Sequence, residues 1–359
     1  MIKIVSFGSS NPIQAISEGV EKIGEQSGVS LHRINFEDDL TEVYNSRLTL
    51  DDLYWIKNAD VYLGDGTWGS TNPARQWKPD KIYMEETKLA HGRPSTAIRS
   101  ARMEFINVWV QELAKLYNKK VIVTESPTLS RIKCNYKDIW YKNSGPRYYR
   151  MGLGHWTYGR TKWCQGDKSV RLESMIHLIE AENKDIKLKN IYNHKWKYNK
   201  DGAVLIVPGL EYDPTSSVPV EEFIKKSVEK VRESTTRKIL VKAHPLSKLV
   251  IQDLVKGVEV IPQDQNFQFI RDRVYCAVLG ESTSIFQLIN LGIPCITSKW
   301  NFGYRLRNQS IDKIEELYYA TPEEVLEWYK MLSYTEFKLS EFSQPTILNF
   351  IRELLYDTK

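Results

Sequence analysis

Between Cys276 and Trp300 the chain reads CAVLGESTSIFQLINLGIPCITSKW, with Gly280-Glu281-Ser282-Thr283-Ser284 standing between an apolar run and an amphipathic one. If the first run is a strand and the second a helix, hydroxyls and backbone N–H groups converge on the positive end of the helix dipole. Such a turn can hold a phosphate, and it can equally do no more than cap the helix. His244 stands in the run LVKAHP, after Lys242 and before Pro245. At a strand end a histidine can offer a phosphate a hydrogen bond or a charge, and a lone histidine can equally be structural. Arg305, in the loop beyond Trp300, is a further cation for the same anion. The first half supplies a second set: Gly8-Ser9-Ser10-Asn11, Asp65 between Gly64 and Gly66, and Glu125 in VIVTESP. Either carboxylate could take a proton from a hydroxyl.

These residues need strands and helices to position them, and the pattern supplies both. Residues 1–7 alternate as a strand, 13–26 form an amphipathic helix closed by Gly28, and 29–36 and 59–63 read as further strands. A long helical pattern over 96–117 leads to a strand over 120–124. Strands alternating with helices predict a parallel sheet, whose ligands bind outside the carboxyl ends of the strands. Gly8 to Asn11, Asp65 and Glu125 therefore share one rim. After a helix over 169–182, the lysine-rich stretch 185–200 reads as a linker, with the boundary near Gly202. A second unit then begins. It has strands over 203–207, 238–242, 258–261, 276–279 and 295–297, with helices from 220 to near 232, over 266–273 and over 285–290. The helix over 285–290 stops at Gly292-x-Pro294, and the second unit ends with residues 318–320 and helices over 321–332 and 344–356. His244 and the 280–284 turn fall on one rim of this sheet.

From Arg131 to Trp163 the composition changes. Eight arginines and lysines, among them Arg147, Arg150 and Arg160, face the single acid Asp138, and rings including Tyr148, Tyr149, Trp156 and Tyr158 alternate with them around His155. Basic side chains beside flat rings suit a phosphate backbone with an unstacked base, or the face of a sugar. The same residues could pack an interdomain core while the cations snorkel to water. Gly145, Gly152, Gly154 and Gly159 predict a looped wall here more than a regular element.

With 359 residues the length favours two domains, 1–200 carrying the 131–163 insertion and 201–359, and 42% hydrophobic residues are enough for each to have a core. A net charge of +5 is too mild to imply a nucleic-acid partner by itself. Cys134, Cys164, Cys276 and Cys295 lack CxxC spacing, so neither disulfides nor a zinc site is indicated, and no other metal signature stands out. MIKIVSFG enters a strand directly, and no run approaches the roughly 20 apolar residues of a membrane span, so a cytoplasmic location is expected.

Two Rossmann-like halves facing across a cleft resemble the GT-B class of glycosyltransferases. LVKAHP followed by GESTSIFQLINLGIPCI is similar to the donor-binding region of capsule-polysaccharide glycosyltransferases, which carry a His-Pro pair and a hydroxyl-rich turn before a helix ending in Gly-x-Pro. The resemblance covers about sixty residues. It implies that His244 and Ser282 to Ser284 meet the phosphate of a nucleotide-sugar co-substrate, with no other cofactor; Glu281, Lys242, Arg305 and Gly8 to Asn11 are further candidates for binding the donor. Many GT-B enzymes grip the donor ribose with a glutamate where this chain has Gln287. The first half is laid out like phage DNA glucosyltransferases, in which a carboxylate just beyond the fourth strand is the base; Glu125 stands there, with Asp65 as the other candidate. That layout implies transfer of a hexose or pentose to hydroxymethylated DNA in a host cytoplasm. On this reading Arg147, Tyr148, Tyr149, Arg150, His155, Trp156, Tyr158 and Arg160 hold the acceptor. The rivals are transfer to a capsule or envelope polysaccharide, a nucleic-acid-binding module without catalysis, and a sugar-nucleotide epimerase of the same fold.

Overall fold

A computed structural model describes residues 1–8, 11–34, 48–65, 109–110, 112–125, 148–153, 169–182, 191–210, 218–245, 247–280, 282–298, 301–342 and 344–356. The described residues fall into two compact α/β units: 1–125, 148–153 and 335–356 form one, and 169–334 the other. No helix among them is long and apolar enough to cross a membrane.

The first unit holds β1 (Ile2–Phe7), β2 (Val29–Ile34), β3 (Val61–Asp65), β4 (Lys120–Glu125), β5 (Tyr148–Leu153) and β11 (Glu336–Lys338) in the order β11-β5-β4-β3-β1-β2. The pairs β1–β2, β1–β3 and β3–β4 are parallel, while β4–β5 and β5–β11 are antiparallel. Two differences from the sequence reading stand out. Residues 148–153, expected in a looped wall, are a strand, because Met151 and Gly152 face Thr124 and Val123 in an antiparallel ladder. Residues 335–356, expected to end the second unit, return to the first. There β11 pairs with β5, the Met151 N–H donates to the Thr335 carbonyl at 2.8 Å, and Lys120 Nζ donates to the Leu355 carbonyl. The unforeseen helix Leu50–Asn58 starts at a capping box in which Thr49 and Asp52 bond reciprocally, satisfying N–H groups that the helix cannot.

In the second unit β6 (Ala203–Val207), β7 (Ile239–Val241), β8 (Glu259–Val260), β9 (Val274–Leu279) and β10 (Cys295–Thr297) form a parallel sheet ordered β10-β9-β6-β7-β8. In order of appearance that is 5-4-1-2-3, the Rossmann arrangement read from its other edge, so the topological switch point lies between β6 and β9. Every residue of β6 and β9 is buried, as a strand covered on both faces requires. On one face the helix Val220–Ser234 buries Val220, Ile224, Val228 and Val231 against Val204, Ile206, Cys276 and Val278. Each side chain so buried contributes about 1.5–3 kcal/mol before entropy is counted.

The stretch read as a linker is, over 191–200, strapped to the second unit. Trp196 Nε1 donates to the Ala320 carbonyl at 2.6 Å, the Lys197 N–H donates to the Gly292 carbonyl at 2.7 Å, and Asn199 Nδ2 donates to the Asp272 carbonyl at 2.6 Å. Backbone that finds partners has no reason to remain a free tether.

Candidate functional site

The switch point brings the sequence motifs of the second half to one sheet edge. β7, β6 and β9 lie side by side and parallel, so β7 and β9 run about 10 Å apart with β6 between them. His244 follows β7, Pro208 and Gly209 follow β6, and Gly280 with the turn 282–284 follows β9. All lie beyond carboxyl ends, where open α/β sheets take their ligands.

The turn is held by its own atoms and by a side chain that sequence reasoning missed. The Ser284 N–H donates to Ser282 Oγ at 3.3 Å, so one hydroxyl folds the turn locally. Ser284 precedes the helix Ile285–Asn290 in α conformation and makes no side-chain cap bond. Ser284 therefore does not act as the cap that the sequence left open for it. A helix of only six residues also has a small dipole, so any affinity for an anion here must come mainly from the turn's backbone and hydroxyls. Asn301, 2% exposed, donates from Nδ2 to the Gly280 carbonyl at 2.7 Å and to the Ser282 carbonyl at 3.1 Å. Its Oδ1 accepts from the Gly303 N–H at 2.9 Å. Gly303 is closely packed, since a Cβ there would stand 2.0 Å from Ile285 Cδ1 at the start of the helix and would force that buried side chain to move. An asparagine just before an aromatic 3-10 turn was the available signal, because its side chain caps Gly303 and leaves the amide free to reach the turn.

The remaining predicted residues take different places. His244 is partly buried, and its carbonyl accepts from the Ser247 N–H at 2.8 Å, closing the turn after β7. Lys242, expected at the rim as a ligand for the donor, is 5% exposed, and its ammonium donates to the Gln263 carbonyl at 2.7 Å with the Phe267 ring 5.2 Å away. Burial pushes its pKa down. In this position it braces the 262–267 segment, and Gln263 Nε2 in turn donates to the Ser247 carbonyl at 2.9 Å. Arg305, in the 3-10 turn Phe302–Leu306, is exposed and donates from Nη1 to Met331 Sδ at 3.2 Å. Gln287 is partly buried within the short helix.

In the first unit Gly8 follows β1 with φ +92°, a left-handed conformation that glycine adopts without strain. Asn11 begins the helix Asn11–Ile23. Asp65 and Glu125 are the last residues of the neighbouring parallel strands β3 and β4, with Asp65 opposite Thr124, so the expected shared rim is formed. Tyr148, Tyr149 and Arg150 belong to β5, Arg150 pairing with Glu125 in the ladder. Ser9, Ser10, Arg147, His155, Trp156, Tyr158, Arg160 and Glu281 lie outside the described residues.

No family model matches the chain, and no curated protein matches it. Among solved structures, the β-Kdo 2,7-transferase KpsC of Thermosulfurimonas dismutans is similar over 91% of this chain and 89% of its own, at 14% identity and a TM-score of 0.46. The Escherichia coli heptosyltransferase WaaC with ADP-2-deoxy-2-fluoro heptose is similar over 98% and 99%, at 10% identity and a TM-score of 0.25. The UDP-GlcNAc 2-epimerase of Neisseria meningitidis bound to UDP-GlcNAc is similar over 98% and 100%, at 12% identity and a TM-score of 0.22. Likenesses this low say nothing of the chemistry of the site. The fold class stands on the sheets themselves: α/β, with two Rossmann-like units as the GT-B expectation requires.

Proposed function

We propose that the protein is a glycosyltransferase that moves a sugar from a nucleotide-sugar donor to an acceptor hydroxyl. The observation that carries the reading is the convergence of His244, Gly280 and the turn 282–284 on the switch-point edge of a parallel sheet ordered β10-β9-β6-β7-β8. In the reaction the donor's anomeric C–O bond to phosphate breaks, a new bond forms to the acceptor oxygen, and the acceptor proton passes to a carboxylate. Glu125, or else Asp65, takes that proton. His244 and the turn 282–284 stabilise the charge that grows on the departing phosphate. Gln287 meets the donor ribose as a neutral hydrogen-bonding group, without the charge of a glutamate.

For the acceptor we propose a capsule or envelope glycan, because the His-Pro pair and the hydroxyl turn are the motifs shared with the capsule-polysaccharide type. A second reading, transfer to hydroxymethylated DNA, is favoured by the alternation of cations and rings over 131–163. Binding to duplex DNA that weakens with salt, as counterion release demands, would support the second reading, and its absence would leave the glycan.

The experiment for the class is a thermal-shift panel of UDP-, GDP-, CMP- and ADP-sugars on wild type and on His244→Ala. A ligand at 100 times its dissociation constant adds about 2.7 kcal/mol of stability, which is a readable shift. One donor should shift the wild type and shift His244→Ala less. If none shifts the wild type, the transferase reading fails.

A further inference from the structure

We propose that Asn301 is a positioning residue that sets the phosphate-facing side of the turn 282–284. The proposal rests on the transferase reading. A side-chain amide carries two donors and an acceptor, and here all three are engaged on backbone: two turn carbonyls, Gly280 and Ser282, and the Gly303 N–H. The side chain thus ties the segment after β10 to the turn after β9. Its own base is firm. The Asn301 N–H donates to the Ser298 carbonyl at 3.1 Å, Trp328 Nε1 donates to the Phe302 carbonyl at 2.9 Å, and Gly303 lies against Ile285.

The consequence for an anion follows from peptide geometry. A trans peptide is planar, with its N–H antiparallel to the preceding carbonyl, and no cis bond occurs among the described residues. Holding the Ser282 carbonyl towards Asn301 therefore directs the Thr283 N–H away from it. The same bonds keep two partly negative oxygens turned away from any phosphate that docks on the opposite side. Without Asn301 the turn's peptides can rotate, and a carbonyl facing the phosphate repels it. Asn301 itself is buried and acts only through the turn.

Asn308 provides the control, because it too is a buried asparagine clamping backbone. Its Nδ2 donates to the Tyr318 carbonyl and its Oδ1 accepts from the Tyr318 N–H, both at 2.8 Å, so its side-chain bonds close the 308–318 loop. The test is isothermal calorimetry with UDP-, GDP-, CMP- and ADP-sugars on wild type, Asn301→Asp, Asn301→Ala and Asn308→Ala, each with a thermal melt. Asn301→Asp keeps the shape but offers only acceptors to two carbonyls. We expect Asn301→Asp and Asn301→Ala to bind the donor at least about tenfold more weakly, while Asn308→Ala melts earlier and keeps its Kd within about twofold. Should either Asn301 variant lack a cooperative melt, Asn301→Ser, which keeps one donor, is expected to show an intermediate loss. Wild-type Kd in the folded Asn301 variants, or a loss no greater than that of Asn308→Ala, overturns the role of Asn301 alone. If the wild type binds none of the four, the transferase reading falls and takes this inference with it.

Discussion

His194 makes the second unit sensitive to acid, and the size of the effect follows from its surroundings. The residue lies in the 191–200 strap, 5% exposed, with its ring 4.4 Å from that of Trp196 in edge contact. Its Nε2 has no hydrogen-bond partner among the described residues. Burial disfavours the charged imidazolium and lowers the pKa from 6.5 to about 4. The unfolded chain therefore binds a proton at a higher pH than the folded one. Stability is full above the unfolded pKa and declines as the pH falls towards the folded value. From about pH 7.5 to about pH 5 the loss is ~2 kcal/mol, and well below pH 4 it levels off at ~3 kcal/mol. Urea denaturation followed by circular dichroism at the two pH values measures it. His194→Phe keeps a ring against Trp196 and removes the titration. The variant's own difference between the two pH values should be smaller than the wild type's by ~2 kcal/mol, whatever the substitution does to stability at neutral pH. Equal losses in wild type and variant would refute the assignment.

Other perturbations reach the strap, the turn and the proposed base. Gly292 has φ +77°, and a Cβ there would stand 2.4 Å from the Lys195 carbonyl oxygen. Gly292→Ala should cost at least ~1 kcal/mol from the backbone alone and more as the strap is pushed off; an unchanged urea midpoint would contradict this. Gly303→Ala drives a methyl group into Ile285 and should destabilise by ~1–3 kcal/mol, lowering the midpoint of the melt; a wild-type melt would show that the loop has room that the structure does not give it. Glu125→Gln should keep donor binding and lose about 10² to 10⁴ in transfer rate, and full turnover in that variant would move the proton acceptor to Asp65.

The strand Ala203–Val207 and the helix Ile285–Asn290 were readable to the residue. An apolar run of five between turn residues has one sensible fate, and so does an amphipathic run that ends in Gly-x-Pro. The rim positions of His244, Asp65 and Glu125 followed, because in a parallel sheet a strand's carboxyl end fixes where its next residues lie. The antiparallel strands β5 and β11 were not readable. Tyr148–Leu153 carries a glycine among mixed polar and aromatic residues, and its strand character exists only because the edge of β4 accepts it. Glu336–Lys338 is three residues long, and its partner lies nearly two hundred positions earlier in the chain.

At the candidate site the division is the same. The residue types that could meet a phosphate, His244 and the hydroxyls of 282–284, were set by the sequence, since local pattern alone puts them at strand ends. Which polar groups already have partners was decided by the tertiary structure. Lys242 looks like a free cation in the chain LVKAHP, yet its ammonium is buried on Gln263, a partner brought near only by the neighbouring loop. Asn301 looks like an ordinary loop residue, yet it holds two carbonyls of a turn some twenty positions before it. Period and composition report what each residue does along its own element. Hydrogen bonds between loops depend on which strands lie side by side, and that becomes fixed only when the sheet has formed.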